Sequence, residues 1–248
     1  MNIINSILTN NPCYKTGRTI TVKGLMLHSV GCSQPNAKVF VKNWNTSSYN
    51  RACVHAFIDG NTGDVYQTLP WNHRGWHSGG SSNNTHIGVE MCEPATIKYT
   101  CGANFVVNNE NDAKAVATRT YKSAVELFAK LCKDFHLDPL GKNVILSHSE
   151  GYTKGIASNH ADPEHLWKQL KLPYTMDGFR ADVKKAMNDN SATSNTSNSD
   201  TKTDKKIIYR VQVGAFSVKQ NALNMLGKLK KAGFDGFITK VELSSEGK

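Results

Sequence analysis

The chain has no apolar run of 18 or more residues, which excludes a transmembrane helix. Its first twenty residues, with Asn2, Asn5, Asn10, Asn11 and Pro12, hold no basic start and no apolar core, so they do not read as a secretory signal. No C-x-x-C pair occurs among the six cysteines, Cys13, Cys32, Cys53, Cys92, Cys101 and Cys132. Reduced, buried thiols are the better reading, with a pairing such as Cys13–Cys101 left open. There is no H-E-x-x-H, so no short motif announces a metal. Negative charge is also short, with 20 Asp and Glu against 30 Lys and Arg and a formal net charge of +10. That balance suggests a polyanionic partner such as nucleic acid, acidic lipid or anionic cell wall.

What is present reads as a folded protein. At 39% hydrophobic and 20% charged residues over 248 positions, wholesale disorder is excluded and one full domain plus a smaller module fits. Residues 188–204, NDNSATSNTSNSDTKTD, offer nothing larger than Ala to bury and read as a flexible linker. The domains expected are therefore 1–187 and 205–248. Ten basic residues against four acidic ones lie between Lys202 and Lys248, so most of the positive charge belongs to the tail.

In the first part, Lys23–His28, Ala52–Ile58, Asp64–Thr68, Ile87–Cys92 and Asn143–Ser147 read as strands, the second and third joined by the turn Asp59–Gly63. Helices are expected at Asn36–Trp44, Asp112–Phe135, Pro163–Leu170 and Asp177–Met187. The longest shows a single apolar stripe through Val116, Tyr121, Ala124, Val125, Phe128, Leu131, Cys132 and Phe135. The fold class is α/β, a central mixed sheet flanked by helices. The tail reads as a small βαβ unit: strand Ile207–Val213, helix Ser217–Lys231 with Ala222, Leu223, Leu226 and Leu229 inward, and strand Phe237–Val241.

Several residues carry two readings. His28 and His148 each end an apolar strand, where side chains face a sheet-edge site, yet a satisfied buried histidine looks the same. Asp162 before Pro163 reads either as a helix N-cap or as a carboxylate ligand. Two His and one carboxylate with an open fourth position is a hydrolytic zinc set. Glu90, inside the apolar IGVEMC, is costly unless paired or used, and a raised pKa would suit a general base; it reads equally as a strand side chain facing solvent. His160 offers a donor to a developing oxyanion. Trp76-His77-Ser78-Gly79-Gly80 suits a sugar or peptide ligand, or a plain turn.

Together these segments resemble the zinc N-acetylmuramoyl-L-alanine amidases shared by phage lysozyme-amidases and peptidoglycan recognition proteins. The resemblance is carried by LMLHSVG at 25–31, CVHAFIDGNTGDVYQTLP at 53–70, WHSG at 76–79, HIGVEM at 86–91, LSHSEG at 146–151 and NHADPEHLW at 159–167. It covers about residues 20–170 and looks most like clostridial endolysins or autolysins. It implies cleavage of the amide between the lactyl group of N-acetylmuramic acid and L-alanine of the stem peptide. It also implies His28, His148 and Asp162 as zinc ligands, Glu90 as the base that activates water, and His160 where many members carry Lys. Val54 stands where members lacking the glutamate carry Tyr, which agrees with Glu90 as base. His55, Trp76 and His77 become substrate-side or supporting residues. The segment at 209–238, YRVQVGAFSVKQNALNMLGKLKKAGFDGFI, is similar to the first half of the SPOR family of peptidoglycan-binding domains.

Peptidoglycan is then the expected partner, and the tail's charge helps hold an anionic wall. A nucleic-acid partner is not expected, for want of a helix-turn-helix, finger or basic-aromatic motif outside the tail. Without a signal, synthesis in the cytoplasm and release through a holin or lysis are expected. The rival in another class is a catalytically idle wall-binding protein of the same fold, which need not keep the full set His28, His148, Asp162 and Glu90.

Overall fold

A computed structural model describes residues 1–189, 214 and 216–232. The elements in chain order are β1 (Ile3–Asn5), α1 (Pro12–Thr16), β2 (Gly24–Ser29), α2 (Ala37–Trp44), β3 (Ala56–Ile58), β4 (Val65–Gln67), β5 (His86–Met91), β6 (Ile97–Cys101) and β7 (Asn104–Val107). There follow α3 (Glu110–Asp134), β8 (Ile145–Ser147), α4 (His148–Thr153), α5 (Glu164–Gln169), α6 (Met176–Asp189) and α7 (Lys219–Lys231). The chain divides into two compact units, Met1–Thr196 and Ser197–Lys248.

In the first unit six strands form one mixed sheet in the order β1-β4-β3-β5-β2-β8. Only β3 and β4 run antiparallel; the other four pairings are parallel. The two central strands, β2 and β5, are apolar because both faces are covered. Strand alternation sorts their side chains. Leu25, Leu27, Ile87, Val89 and Met91 pack with α3 residues such as Leu127 and Phe128 in the main core. Met26, His28, Gly88 and Glu90 fall on the opposite face, and the β2–β5 register sets Met26 across from Gly88 and His28 across from Glu90.

Helix α3 starts at Asn109, whose side chain accepts from the Asp112 N–H, with Glu110 and Asp112 in the first turn to complement the helix dipole. Its apolar stripe is fully buried at Leu127, Phe128 and Leu131. Truncating any of these to Ala costs about 2–5 kcal/mol. The main core therefore lies on the α3 side, while α2 covers part of the other face, packing Phe40 and Trp44 on Phe57 in a smaller cluster.

The structure refines several sequence expectations. The strand at Ala52–Ile58 shortens to three residues, because Cys53 instead pairs with Trp76 in an isolated antiparallel bridge. His148 opens α4, a helix the sequence reading lacks, and α6 runs through Asn188 and Asp189, which were assigned to the linker. Strands β1, β6 and β7 are also new, β6 and β7 forming a separate hairpin. All six cysteines are free; Cys32 and Cys101 are exposed and not buried, and the Cys13 thiol donates to the Arg74 carbonyl at 3.3 Å. In the second unit α7 is present, but Leu223 is 42% exposed and not inward. The two strands expected at 207–213 and 237–241 lie outside the described residues. No helix among the described residues is long and apolar enough to cross a membrane.

Candidate metal centre

His28 reaches the site from the C-terminal end of β2, His148 from the turn between β8 and α4, and Asp162 from the loop before α5. Ser147 caps α4: its side chain accepts from the Glu150 N–H while Glu150 reaches back to the Ser147 N–H, a reciprocal capping box. That cap fixes His148 at the first helical position. Asp162 does not cap α5. The N-cap is Pro163, with no side-chain hydrogen bond to the helix, and the Asp162–Pro163 peptide is cis. Asp162 instead turns inward, 7% exposed, where Oδ2 accepts from the Ser29 N–H at 3.3 Å.

Three donor atoms converge here, all within 4.8 Å of one another. His28 Nδ1 lies 3.0 Å from His148 Nδ1 and 3.2 Å from Asp162 Oδ2, and His148 Nδ1 lies 3.6 Å from Asp162 Oδ1. The hydrogen bonds behind the rings bear on which nitrogens are bare, and for His28 they fix it. A backbone carbonyl only accepts, so His77 Nε2, 3.0 Å from the His86 carbonyl, carries a proton. Neutral His77 therefore accepts at Nδ1, and His28 Nε2 donates to it at 2.9 Å. Ser158 donates its hydroxyl to the Ser78 carbonyl at 3.1 Å, and its oxygen lies 3.2 Å from His148 Nε2 and 3.1 Å from His160 Nδ1, which is itself 3.1 Å from His148 Nε2. With Nε2 protonated, neutral His28 points its Nδ1 lone pair at Asp162, and a proton on His148 Nε2 does the same for the Nδ1 of that ring. Two imidazole nitrogens and one carboxylate oxygen with supported outer nitrogens fit a catalytic zinc ion.

The electrostatics favour a cation between these groups. Burial works against charge on His28, but protonation at Nδ1 would gain a hydrogen bond to Asp162 and the attraction of the Glu90 and Asp162 charges, and these outweigh burial and raise its pKa. Asp162 is held below its ordinary value despite burial, by the hydrogen bond that a protonated His28 would donate and by the charges of both histidines. Burial and the neighbouring His28 push His148 down to about 4.

The three groups open into a cavity of about 860 Å³, which Glu90, Trp76, His160 and Tyr99 also line. Burial pushes the Glu90 carboxyl up to about 8, with His28 opposing and Asp162 and Glu93 adding to the rise. Its Oε2 is buried with no hydrogen-bonding partner among the described residues. Glu90 thus faces the site, not solvent. His160 is exposed, its ring tilted against His148 at a centroid separation of 4.3 Å.

His77 lines the cavity, though both its ring nitrogens are engaged. His55 does not line it. It is fully buried, accepts at Nδ1 from the Gly88 N–H and donates from Nε2 to the His73 carbonyl. That leaves nothing for a substrate, so the substrate-side reading of His55 gives way to a supporting one beneath His77. Three residues escaped sequence reading. Tyr99 Oη lies 2.8 Å from Glu93 Oε2 and 2.7 Å from His165 Nε2, and Tyr99 and His165 line the cavity. Glu93 is fully buried and pushed up to about 7 by burial, Ser29, Tyr99 and Gly31 opposing. A second carboxylate three residues past Glu90 was the only sequence signal.

Residues 18–165 match the N-acetylmuramoyl-L-alanine amidase family. The chain belongs to this family. Residues 180–247 match the SPOR domain family, and so reach further toward the N-terminus than the tail read from sequence. Among relatives, the chain is 26% identical over 172 residues to the N-acetylmuramoyl-L-alanine amidase CwlH of Bacillus subtilis, covering 66% of this chain and 63% of that protein. It is 32% identical over 118 residues to the amidase XlyA of the same organism, covering 43% and 38%. The chain thus spans under two thirds of the length of both. The hydrolase AmiA of Staphylococcus aureus, solved in complex with its ligand, shares the fold with a TM-score of 0.56 at 18% identity, over 77% of this chain and 84% of that one.

Proposed function

We propose that this chain is a zinc-dependent peptidoglycan hydrolase that cleaves the amide between the lactyl group of N-acetylmuramic acid and the L-alanine of the stem peptide. The observation that carries the reading is the convergence of His28, His148 and Asp162 on one point of a cavity that the unpartnered Glu90 carboxylate also faces. Family membership supports the amidase chemistry.

The roles divide as follows. His28 Nδ1, His148 Nδ1 and an Asp162 oxygen hold the ion, oriented by His77 and Ser158 behind them. Zinc in such a site supplies Lewis acidity, which acidifies water and polarises a carbonyl. Glu90 takes the proton from the attacking water and returns it to the departing L-alanine amine. Its raised pKa suits both transfers near neutrality. His160 donates to the oxygen on which negative charge develops. Trp76 gives the glycan or peptide an aromatic wall.

The SPOR match supports attachment to peptidoglycan through the C-terminal part, and the basic balance of 202–248 suits an anionic wall. The site of action is then the wall, reached after release from the cytoplasm. Digestion of purified cell wall with and without chelator tests the whole reading. New free L-alanine amino groups, no new reducing sugar ends and loss of activity on chelation are expected. Reducing ends, or indifference to chelator, would overturn it.

A further inference from the structure

The turn that carries His148 and the loop that carries Asp162 are laced together by side chains outside the donor set. Ser147, immediately before His148, donates its hydroxyl to Glu164 Oε1 at 2.5 Å, and Glu164 lies two residues beyond Asp162. The same hydroxyl oxygen accepts from the Glu150 N–H at 3.0 Å. A backbone bond from the Ser149 N–H to the Asp162 carbonyl, 3.2 Å, runs alongside. From α6, Arg180 clamps Glu150 with both Nη atoms at 2.9 Å and donates to the Ile145 carbonyl at 3.0 Å.

Glu164 is an expensive residue for packing alone. Its Oε2 is buried with no hydrogen-bonding partner among the described residues. A buried polar atom left unmatched costs stability that an apolar side chain would not. What the carboxylate does achieve is a short bond between the segments bearing two of the three donors.

We propose that Glu164 is a positioning residue for the metal: through Ser147 it sets the separation of His148 Nδ1 and the Asp162 carboxylate, while Arg180 and Glu150 hold the turn from outside. The proposal rests on the zinc reading above. Donors on separate segments must reach one ion with little tolerance, and outer partners of metal ligands change affinity by about 10–100-fold. The catalytic unit then includes α6, which follows the segment matched to the amidase family.

Zinc affinity of the intact chain, read by competition with a chromophoric chelator, tests this beside thermal unfolding of the metal-free protein. Glu164→Ala should weaken zinc by about 10–100-fold while leaving metal-free stability unchanged or raised. Glu164→Gln keeps an acceptor for Ser147 and should restore most of the affinity. Should Glu164→Ala fail to fold by circular dichroism, Ser147→Gly takes its place. It removes the hydroxyl but leaves a residue favoured at N-caps, and the same loss of affinity is expected. Parental affinity in these variants overturns the proposal. So does a joint loss of metal-free stability and affinity that glutamine does not rescue, which marks a merely structural role. A parent chain that binds no zinc would bring down the metal reading first.

Discussion

The His77 ring lies so close to Gly88 that a Cβ at that glycine would fall 2.4 Å from the ring's Cγ. Glycine across from Met26 therefore opens the slot in which His77 links the His86 carbonyl to His28 Nε2. Gly88→Ala should displace His77 and release the His28 tautomer. His77→Ala should do the same without altering β5. Both are expected to lower zinc affinity by about 10–100-fold, measured by chelator competition. Unchanged affinity in His77→Ala would remove the relay from the metal site.

Glu90→Gln separates chemistry from binding. The amide keeps the shape of the carboxyl but cannot take a proton from water. Zinc content by elemental analysis should be unchanged, and wall hydrolysis should fall by about 10²–10⁴-fold, the usual worth of a general base. Parental turnover would exclude Glu90 as the base.

The pH profile should carry the same residue's signature. A base works only when deprotonated, so kcat/KM should fall as pH drops through the Glu90 pKa. Burial pushes that value from 4.5 up to about 8, and the charge of a bound cation pulls it back down. An acid limb with its midpoint between 4.5 and 8, with zinc content constant along it, is expected. A limb that tracks zinc loss would assign it to the ligands instead.

Glu93 gives a stability test apart from catalysis. Burial pushes its carboxyl from an ordinary 4.5 up to about 7, so between these pH values the folded state holds the extra proton. Stability from this group is therefore greatest at low pH and declines as pH rises through that window. Buried His55 and His148, with lowered pKa values, act in the opposite direction. The difference between Glu93→Gln and the parent isolates Glu93. Thermal unfolding should show the variant gaining relative stability from pH 5 to pH 8, and a flat difference would reject the assignment.

The central sheet, the long helix and the four residues that converge on the cavity are readable because their signals are local. Apolar runs mark β2 and β5, one stripe marks α3, and His28, Glu90, His148 and Asp162 interrupt or end apolar or turn segments. The rest depends on contacts across the chain. Tyr99 sits on a hairpin of mixed polarity, and its partner His165 is 66 residues away. His55 looks like a site residue in sequence, and only its two backbone partners show otherwise. Asp162 before Pro163 has the form of a helix cap, yet its carboxylate turns to His28 and the Ser29 N–H.

Arg180 stands fifteen residues past the end of the matched amidase segment at 165, yet it grips the turn that presents His148. A family boundary records where sequences stay alike, whereas a mechanical boundary records where force is still transmitted to the donors. For anyone joining this amidase-family unit to a different module, the junction belongs after Asp189. A splice at residue 165 would keep every donor and discard the brace that holds one of them.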